Sequence, residues 1–235
     1  MKIVISYYNK RPIHNLIELY SSLIRFHRVT CIVENLGGPP IVNNFLPNAN
    51  VILNENVGMN IGAWNRGFLE SPNEDLYIFL QDECFLKHEH AVDEFRSRIL
   101  DDPSIGLLGE TLNHRWDKGW QELESGPLNR LEVGHYYEGC PAPRVSVYIK
   151  SMLRWGIDPG ATGLHLRSLV WALPGAVMNS LGGFPIGRDK GECIAAEIGV
   201  SCAIRAMGLK VDQVKKNPFW GFGHKEWRID GSGKL

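Results

Sequence analysis

The sequence lacks an excess of charge of either sign. Its 25 lysines and arginines balance 26 aspartates and glutamates, which gives a formal net charge of −1 at pH 7. A dedicated nucleic-acid surface, or electrostatic docking on anionic lipid, normally needs a basic excess. The charge balance therefore argues against nucleic acid and an anionic membrane as partners.

Long apolar runs are also missing. No run approaches the roughly 20 apolar residues that a membrane-spanning helix requires. The first residues, Met-Lys-Ile-Val-Ile-Ser-Tyr-Tyr, carry one lysine and no cleavage-site pattern, so they predict a strand rather than a signal peptide. We expect no transmembrane segment and a cytoplasmic location, either as a cytosolic enzyme or as one module of a larger assembly.

Two further signatures are absent: paired cysteines and a phosphate-binding P-loop. The five cysteines are an odd number with no paired spacing, so no disulfide framework is expected. Cys31 and Cys202 lie in apolar contexts, which predicts buried thiols and a reducing compartment. The terminal Gly-Ser-Gly-Lys-Leu (residues 231–235) lacks the upstream glycine and following helix of a P-loop, and we expect it to be tail.

The order of strand and helix patterns predicts an α/β fold. With 235 residues, 44% of them apolar, the chain suits a single domain over residues 1–235, and no repeat or linker divides it. Alternating strands and helices with polar turns favour right-handed crossovers and a mainly parallel sheet. The predicted strands cover residues 2–6, 29–34, 50–53, 76–80, 105–109, 145–149 and 209–214, and the predicted helices cover 12–24, 88–100 and 189–207. Residues 110–144 have weak periodicity and are expected to leave the core and shape a pocket.

The stretch from Asn54 to Glu83 organises the chain. An apolar run, Leu76 to Leu80, ends abruptly in Gln81-Asp82-Glu83, which is typical of a buried strand bounded by polar residues. Acids where such a strand leaves the sheet lie at the edge where open α/β sheets bind ligands. Two adjacent carboxylates there are costly unless something positive shares the site, and a divalent cation carrying phosphates is the natural candidate.

Several short motifs precede and follow this triplet. They are Ser6-Tyr7-Tyr8-Asn9 and Glu34-Asn35 after the first two strands, Asn56-Val57-Gly58 and Asn65-Arg66-Gly67 in a loop and helix, Gly182-Gly183-Phe184 in a later turn, and Ala196-Glu197 before Gly208. Together with the acidic triplet, these motifs resemble family 2 glycosyltransferases of the GT-A fold, over about Lys2 to Val211.

The resemblance implies a fold, a reaction and a cofactor. It implies a GT-A (Rossmann-like) α/β fold, with a mainly parallel central sheet flanked by helices. Residues to about 109 would bind the nucleotide sugar, and residues from about 110 to 235 would bind the acceptor. The implied reaction is inverting transfer of a sugar from a nucleotide sugar, UDP-sugar before GDP or dTDP, to a saccharide hydroxyl, assisted by Mn²⁺ or Mg²⁺.

The resemblance also assigns binding residues. The implied nucleotide-sugar ligands are Ser6, Tyr7, Tyr8, Asn9, Glu34, Asn35, Asn56, Gly58, Asn60, Asn65, Gln81 and Asp82. The implied metal ligands are Glu83, then Asp82, with His224 as a late third ligand. For Glu34 and Asn35 simple turn chemistry stays open, and Asn60 and Asn65 also suit helix capping.

Two glutamates of one predicted helix are candidates for the general base. Glu197 matches the family's helix-opening acid, and Glu192 is its rival. Asp189 and Glu192 have the spacing of a capping box, which gives Glu192 a structural task instead.

Tryptophans are the candidates for acceptor binding. Trp171, which we expect to be exposed, and Trp116 have side chains that can stack on the apolar face of a sugar, while a place in the core is the alternative for each.

Two function classes compete with an active transferase. Gln81 stands where the family has its first acid and brings no charge to a metal, which is compatible with a catalytically silent sugar-binding module. A nucleotidyltransferase shares the strand order and acidic sites, but it usually shows a glycine-rich basic loop after the first strand, and Tyr-Tyr-Asn-Lys-Arg-Pro differs from such a loop.

Overall fold

A computed structural model describes residues 1–226, and the terminal Gly-Ser-Gly-Lys-Leu lies outside them. Within the described residues, no helix has the length and apolar composition needed to cross a bilayer. Its strands are β1 Lys2–Tyr8, β2 Cys31–Asn35, β3 Val51–Asn54, β4 Leu76–Gln81, β5 Cys84–Leu86, β6 Ile105–Gly109, β7 Leu131–Tyr137, β8 Cys140–Pro143, β9 Val170–Pro174, β10 Lys210–Gln213 and β11 Phe222–His224. Its helices are α1 Ile13–Leu23, α2 Val42–Phe45, α3 Met59–Glu70, α4 Ala91–Asp101, α5 Trp120–Ser125, α6 Arg144–Arg154, α7 Gly175–Leu181 and α8 Lys190–Ala206.

A seven-stranded sheet forms the centre of the fold, in the order β10-β6-β9-β4-β1-β2-β3. The strands from β4 to β3 are parallel to one another, and β10 is parallel to β6. Only β9 runs antiparallel among the pairs within this sheet, against β4 on one side and β6 on the other. The prediction of an α/β fold with a mainly parallel sheet is therefore confirmed.

Helices cover both faces of this sheet, which explains the continuous apolar run of β4. Ile78 and Leu80 face a core that includes residues of α1 and α4, whereas Tyr77 and Phe79 face a core that includes residues of α3 and α8. Side chains alternate between the faces of a strand, so a strand that is covered twice needs apolar residues at every position. Burial of each such side chain contributes roughly 1.5–3 kcal/mol. Cys31 and Cys202 are buried thiols, as predicted.

The strand predicted over residues 145–149 is wrong. These residues belong to α6, which begins after Pro143 and packs against α8. Val145, Tyr148 and Met152 fall at helical spacing and are completely buried. The local run Val-Ser-Val-Tyr-Ile has β-forming residues, but the apolar face that it shares with the following turns has a partner only as a helix.

A two-stranded antiparallel sheet brings the end of the described chain back to β4. β11 pairs with β5, and this register places His224 opposite Cys84. The backbone N–H of Lys225 donates to the Glu83 carbonyl at 3.0 Å. The Lys225 ammonium group donates to Asn15 Oδ1 at 2.7 Å, which ties this segment to α1. His224 is therefore held beside the acidic triplet.

Candidate functional site

A cleft of about 310 Å³ opens at the carboxyl ends of β1, β2 and β4. The parallel register places Tyr8 opposite Asn35 and Ser6 opposite Gln81. The cleft is lined by Ser6, Tyr8, Arg11, Asn35, Asn56, Met59, Asn60, Gln81 and Asp82. Seven of these were predicted to bind the nucleotide sugar, and the structure brings them together. Arg11 and Met59 were not predicted.

Left-handed backbone in the loop before α3 shapes one wall of the cleft. Asn56, Gly58 and Met59 have φ values of 57°, 77° and 52°. At Gly58 a Cβ atom would lie 3.0 Å from the Gly62 Cα atom, so glycine is required for the turn as well as for its φ. The loop directs Asn60 inward, where its Nδ2 donates to the Ser168 carbonyl at 2.8 Å.

Tyr7, Asn9 and Glu34 build the walls rather than the lining of this cleft. Tyr7 is completely buried, and its hydroxyl donates to the Arg11 carbonyl at 2.8 Å. Glu34 is also completely buried, where Oε1 accepts from Asn9 Nδ2 at 3.1 Å and from the Ile41 N–H at 2.7 Å, and Oε2 accepts from the Val42 N–H at 3.2 Å. Turn chemistry, the alternative left open for Glu34, accounts for these contacts.

Asn65 joins α3 to the Gly-Gly-Phe turn. Its Oδ1 accepts from the Phe184 N–H at 2.8 Å. Gly183 has a φ of 107°, and a Cβ atom there would lie 2.4 Å from the same Oδ1. The two motifs therefore depend on each other, and Asn65 acts as a tether instead of a helix cap or a cleft residue.

Asp82 and Glu83 are buried together at the end of β4, with exposed fractions of 1% and 7%. Arg11 Nη1 lies 3.1 Å from Asp82 Oδ1 and 2.7 Å from Glu83 Oε2. Burial raises the pKa of Asp82 to about 6 and that of Glu83 to about 7, and the Arg11 charge opposes only part of this rise. Arg11 is thus the positive group that the adjacent carboxylates require.

The side chains around Asp82 and Glu83 offer the oxygen and nitrogen atoms that divalent cations accept as ligands. Asp82 Oδ2 is buried and accepts no hydrogen bond, and Glu83 Oε2 is buried with the Arg11 guanidinium as its contact. His224 Nε2 lies 4.0 Å from Glu83 Oε2 and 3.3 Å from Gln81 Oε1, and burial lowers the pKa of His224 to about 4, so the imidazole is neutral. The Glu226 N–H donates to His224 Nδ1 at 3.3 Å, which places the ring proton on Nε2, so Nε2 would bind a metal in the other tautomer. Up to residue 226, no three His, Cys, Asp or Glu side chains are already grouped for a metal. These atoms fit the ion by their chemical type, and the Arg11 guanidinium already contacts two of the carboxylates that would bind it.

Glu197 is connected to the cleft through a single residue, Ser168. Its Oε2 accepts from the Ser168 hydroxyl at 2.7 Å, and its Oε1 lies 3.3 Å from His165 Nε2. The Ser168 carbonyl accepts from Gln81 Nε2 at 2.6 Å, which links Glu197 to the cleft. Burial raises the pKa of Glu197, but contacts with His165 and Ser168 and the charge of Arg167 outweigh it and hold that pKa below its usual value.

Glu192 is committed to ion pairs. Its carboxylate is 3% exposed, lies 2.9 Å from Arg154 Nη2 and 2.8 Å from Arg188 Nη2, and also accepts from the Arg188 N–H. Burial opposes the lowering of the Glu192 pKa, yet the two arginines bring that pKa to about 2. Asp189 Oδ1 accepts from the Glu192 N–H at 2.9 Å, which confirms Asp189 as the N-cap of α8, whereas the Glu192 carboxylate accepts from the Arg188 N–H and not from the Asp189 N–H that a capping box uses.

The predicted exposure of Trp171 is wrong, and neither tryptophan offers a free face to an acceptor. Trp171 is completely buried in β9, and its ring packs 5.3 Å from that of Trp64. Trp116 is 4% exposed, packs 5.3 Å from the Tyr148 ring, and has the Arg144 guanidinium 5.5 Å from its ring centroid. Both are core residues, which is the alternative left open above.

Comparison with known proteins identifies the fold. No family model matches the sequence, and no curated protein matches it in sequence. The structure is similar to the mannosyltransferase PcManGT from Pyrobaculum calidifontis, solved in complex with GDP-Man and Mn²⁺. The TM-score is 0.54 at 11% identity, covering 90% of this chain and 53% of that one, so the chain spans about half the length of that enzyme.

A second similar structure is glucosyl-3-phosphoglycerate synthase from Mycobacterium tuberculosis, in complex with Mn²⁺, UDP and glucosyl-3-phosphoglycerate. Its TM-score is 0.52 at 12% identity, covering 98% of this chain and 73% of that one. A CMP:2-keto-3-deoxy-manno-octonic acid synthetase complexed with CTP is matched with a TM-score of 0.49, 13% identity and coverage of 91% and 89%, which is too remote to favour a function. The seven-stranded, mostly parallel sheet and its flanking helices are thus those of a GT-A fold.

Proposed function

We propose that this protein is a family 2 glycosyltransferase that moves a sugar from a nucleotide sugar, most favourably a UDP-sugar, to a saccharide hydroxyl with inversion. The observation that supports the proposal is the cleft at the carboxyl edge of the parallel strands. The buried acids Asp82 and Glu83 lie on one side of it, and Glu197 is connected to it through Ser168. Strand ends in open α/β folds are where such ligands bind. All nine residues that line this donor cleft lie before residue 109, and the residues from about 110 onward would supply the acceptor side.

The donor would lie along the polar lining of the cleft. Tyr8 and Asn56 offer a hydroxyl and an amide group to the nucleoside. Ser6 and Asn35 are buried at the base of the cleft, where the Ser6 hydroxyl donates to the Leu80 carbonyl and Asn35 Nδ2 donates to the Met59 carbonyl, so each has only part of its hydrogen-bonding capacity left for the donor. Gln81 Nε2 donates to the Ser168 carbonyl, and Gln81 Oε1 lies 3.3 Å from His224 Nε2. In this pose the diphosphate would lie next to Asp82, beside the positive charge of Arg11.

Mn²⁺ or Mg²⁺ would be held by Glu83 and Asp82, with His224 as the nitrogen ligand. When bound, the ion supplies positive charge against the diphosphate that leaves. The Mn²⁺ named with both similar glycosyltransferases supports this cofactor for the present chain.

Glu197 is the proposed general base. In the transfer, a bond forms between the acceptor oxygen and the anomeric carbon while the bond from that carbon to the diphosphate oxygen breaks, and its electron pair stays with the diphosphate. The acceptor proton passes to Glu197, whose lowered pKa keeps the carboxylate ionised. Glu192 is a weaker candidate because two arginines hold its carboxylate.

A donor panel tests the reaction. The purified protein is incubated with Mn²⁺ and UDP-, GDP- and dTDP-sugars, and the released nucleotide is measured with and without saccharide acceptors. We expect release from one donor, accelerated by an acceptor. Glu197→Gln is expected to lower the acceptor-dependent rate by about 10²-fold or more while it leaves donor affinity unchanged. Glu70→Gln, at the far end of α3, is the matched carboxylate control.

Two results would contradict the proposal. Tight binding of a nucleotide sugar with no release of nucleotide, not even by slow hydrolysis, would identify a catalytically silent sugar-binding module. Full turnover by Glu197→Gln would remove Glu197 from the base role.

A further inference from the structure

Arg11 has a fixed backbone and an adaptable side chain. Its N–H donates to the Tyr8 carbonyl at 2.8 Å, and its carbonyl accepts from the Tyr7 hydroxyl at 2.8 Å. The next residue, Pro12, caps α1. The Arg11 side chain is 34% exposed and lines the donor cleft. A clamped backbone below a long, partly exposed side chain lets the charged group change partners without a change of fold.

Arg11 also carries the one positive charge among the cleft-lining residues of the described chain. Its Nη1 contacts Asp82 and Glu83 at the same time, at 3.1 Å and 2.7 Å. These are the carboxylates to which a divalent cation would bind. Two cations within a few ångströms of each other repel strongly in a buried site, so the guanidinium and the metal compete for the same oxygens.

We propose that Arg11 is a diphosphate ligand that stands in the cation's place on Asp82 and Glu83 while the donor is absent. The proposal rests on the proposed function. When the donor enters with its metal, the guanidinium moves to the diphosphate, which offers the paired oxygens that arginine binds best. Metal and nucleotide therefore bind together, and the metal alone binds weakly because Arg11 already neutralises its ligands.

This exchange predicts opposite effects of one substitution on two ligands. Arg11→Met removes the competitor, so the affinity for Mn²⁺ alone should rise about tenfold, a coupling of ordinary size between two sites. The same variant loses a diphosphate contact, so the affinity for UDP at saturating Mn²⁺ should fall about tenfold. Free Mn²⁺ is measured by electron paramagnetic resonance, and UDP or GDP binding by calorimetry. Arg66→Met, which removes an exposed arginine of α3, is the control and should change neither value.

The outcomes separate this proposal from the proposed function. If Arg11→Met binds Mn²⁺ no better than the wild type, or binds UDP or GDP equally well, the role of Arg11 is refuted while nucleotide binding stands. If neither nucleotide binds the wild-type protein with Mn²⁺, the proposed function itself fails. Should Arg11→Met fail to fold, as shown by circular dichroism, Arg11→Lys keeps the charge without the paired donors and should shift both affinities in the same directions, by less.

Discussion

The Ser168 hydroxyl donates a hydrogen bond of 2.7 Å to Glu197 Oε2, and the carbonyl of the same residue accepts one of 2.6 Å from Gln81. One residue therefore joins the proposed base to the donor cleft. The bond favours the ionised form of Glu197, so it belongs with the contacts that lower the pKa of this carboxyl below its usual value.

Ser168→Ala tests this link, because it deletes the hydroxyl and keeps the carbonyl. A base works only when ionised, so activity falls at acidic pH as the Glu197 carboxylate becomes protonated. Without the Ser168 donor the pKa of Glu197 rises, and we expect the acidic limb of the kcat/KM profile to move to higher pH. At pH 8 the Glu197 carboxylate is ionised in both proteins, so the rate there should stay within about tenfold of the wild type.

The control for this experiment is Ser151→Ala, since the Ser151 hydroxyl is buried with no hydrogen-bond partner. Its pH profile should coincide with that of the wild type. An acidic limb that stays in place in Ser168→Ala would show that Ser168 does not tune Glu197.

The buried carboxylate of Glu110 is expected to make the free energy of unfolding depend on pH. Its Oε1 accepts from the N–H groups of Gly221 and Phe222 at 2.9 Å and 2.8 Å, which fixes the strand that carries His224. Its Oε2 is buried without a partner. Burial raises the pKa of Glu110 to about 7, although the two N–H groups oppose the rise.

A pKa that is higher in the folded than in the unfolded state favours folding of the protonated form. The contribution of Glu110 is therefore complete below about pH 4.5 and is lost as the pH rises through about 7. Glu110→Gln keeps the acceptor for both N–H groups and cannot ionise. We expect the free energy of unfolding of Glu110→Gln, relative to the wild type, to rise by about 3 kcal/mol between pH 4.5 and pH 8. Urea unfolding at the two pH values measures it, and a constant difference would contradict the assignment.

Which residues line the cleft could be predicted from the sequence more fully than which charged groups pair within it. The apolar run of β4 has one simple interpretation, so the position of Asp82 and Glu83 at a strand end could be predicted. The pairing of these acids with Arg11 could not, because about 70 residues separate the partners and the local pattern at Arg11 only marks a helix start. Position in the chain gave no signal that would choose Arg11 over Lys10 as the paired cation.

The burial of aromatic residues could not be predicted from the local sequence either. Trp171 falls three residues after the polar pair Arg167-Ser168, a context that suggests exposure, yet β9 lies between β4 and β6 in the sheet. That insertion is antiparallel and involves partners more than 60 residues away, so no local periodicity reveals it. Likewise the buried face of α6 is explained by its packing against α8, Trp116 and Leu123. What the sequence left undetermined in each case was a long-range packing partner.

The Gly-Gly-Phe turn allows the sharpest comparison between neighbouring residues. Gly182 and Gly183 both have positive φ, 68° and 107°, but a Cβ atom at Gly182 would meet nothing within 4 Å, whereas one at Gly183 would meet Asn65 Oδ1 at 2.4 Å. Gly182→Ala should therefore cost about 1 kcal/mol of unfolding free energy, from backbone strain alone. Gly183→Ala should cost about 3 kcal/mol, since strain and the lost tether add.

A double variant separates the two causes. Asn65→Ala removes the clashing oxygen and leaves the Phe184 N–H without its acceptor, so alone it should cost about 1–2 kcal/mol. In Asn65→Ala/Gly183→Ala the clash no longer exists, so the combined cost should be smaller than the sum of the single costs by about 1 kcal/mol. Strictly additive costs in urea unfolding would mean that Gly183 is required only for its backbone conformation, and that contact with Asn65 plays no part in selecting glycine.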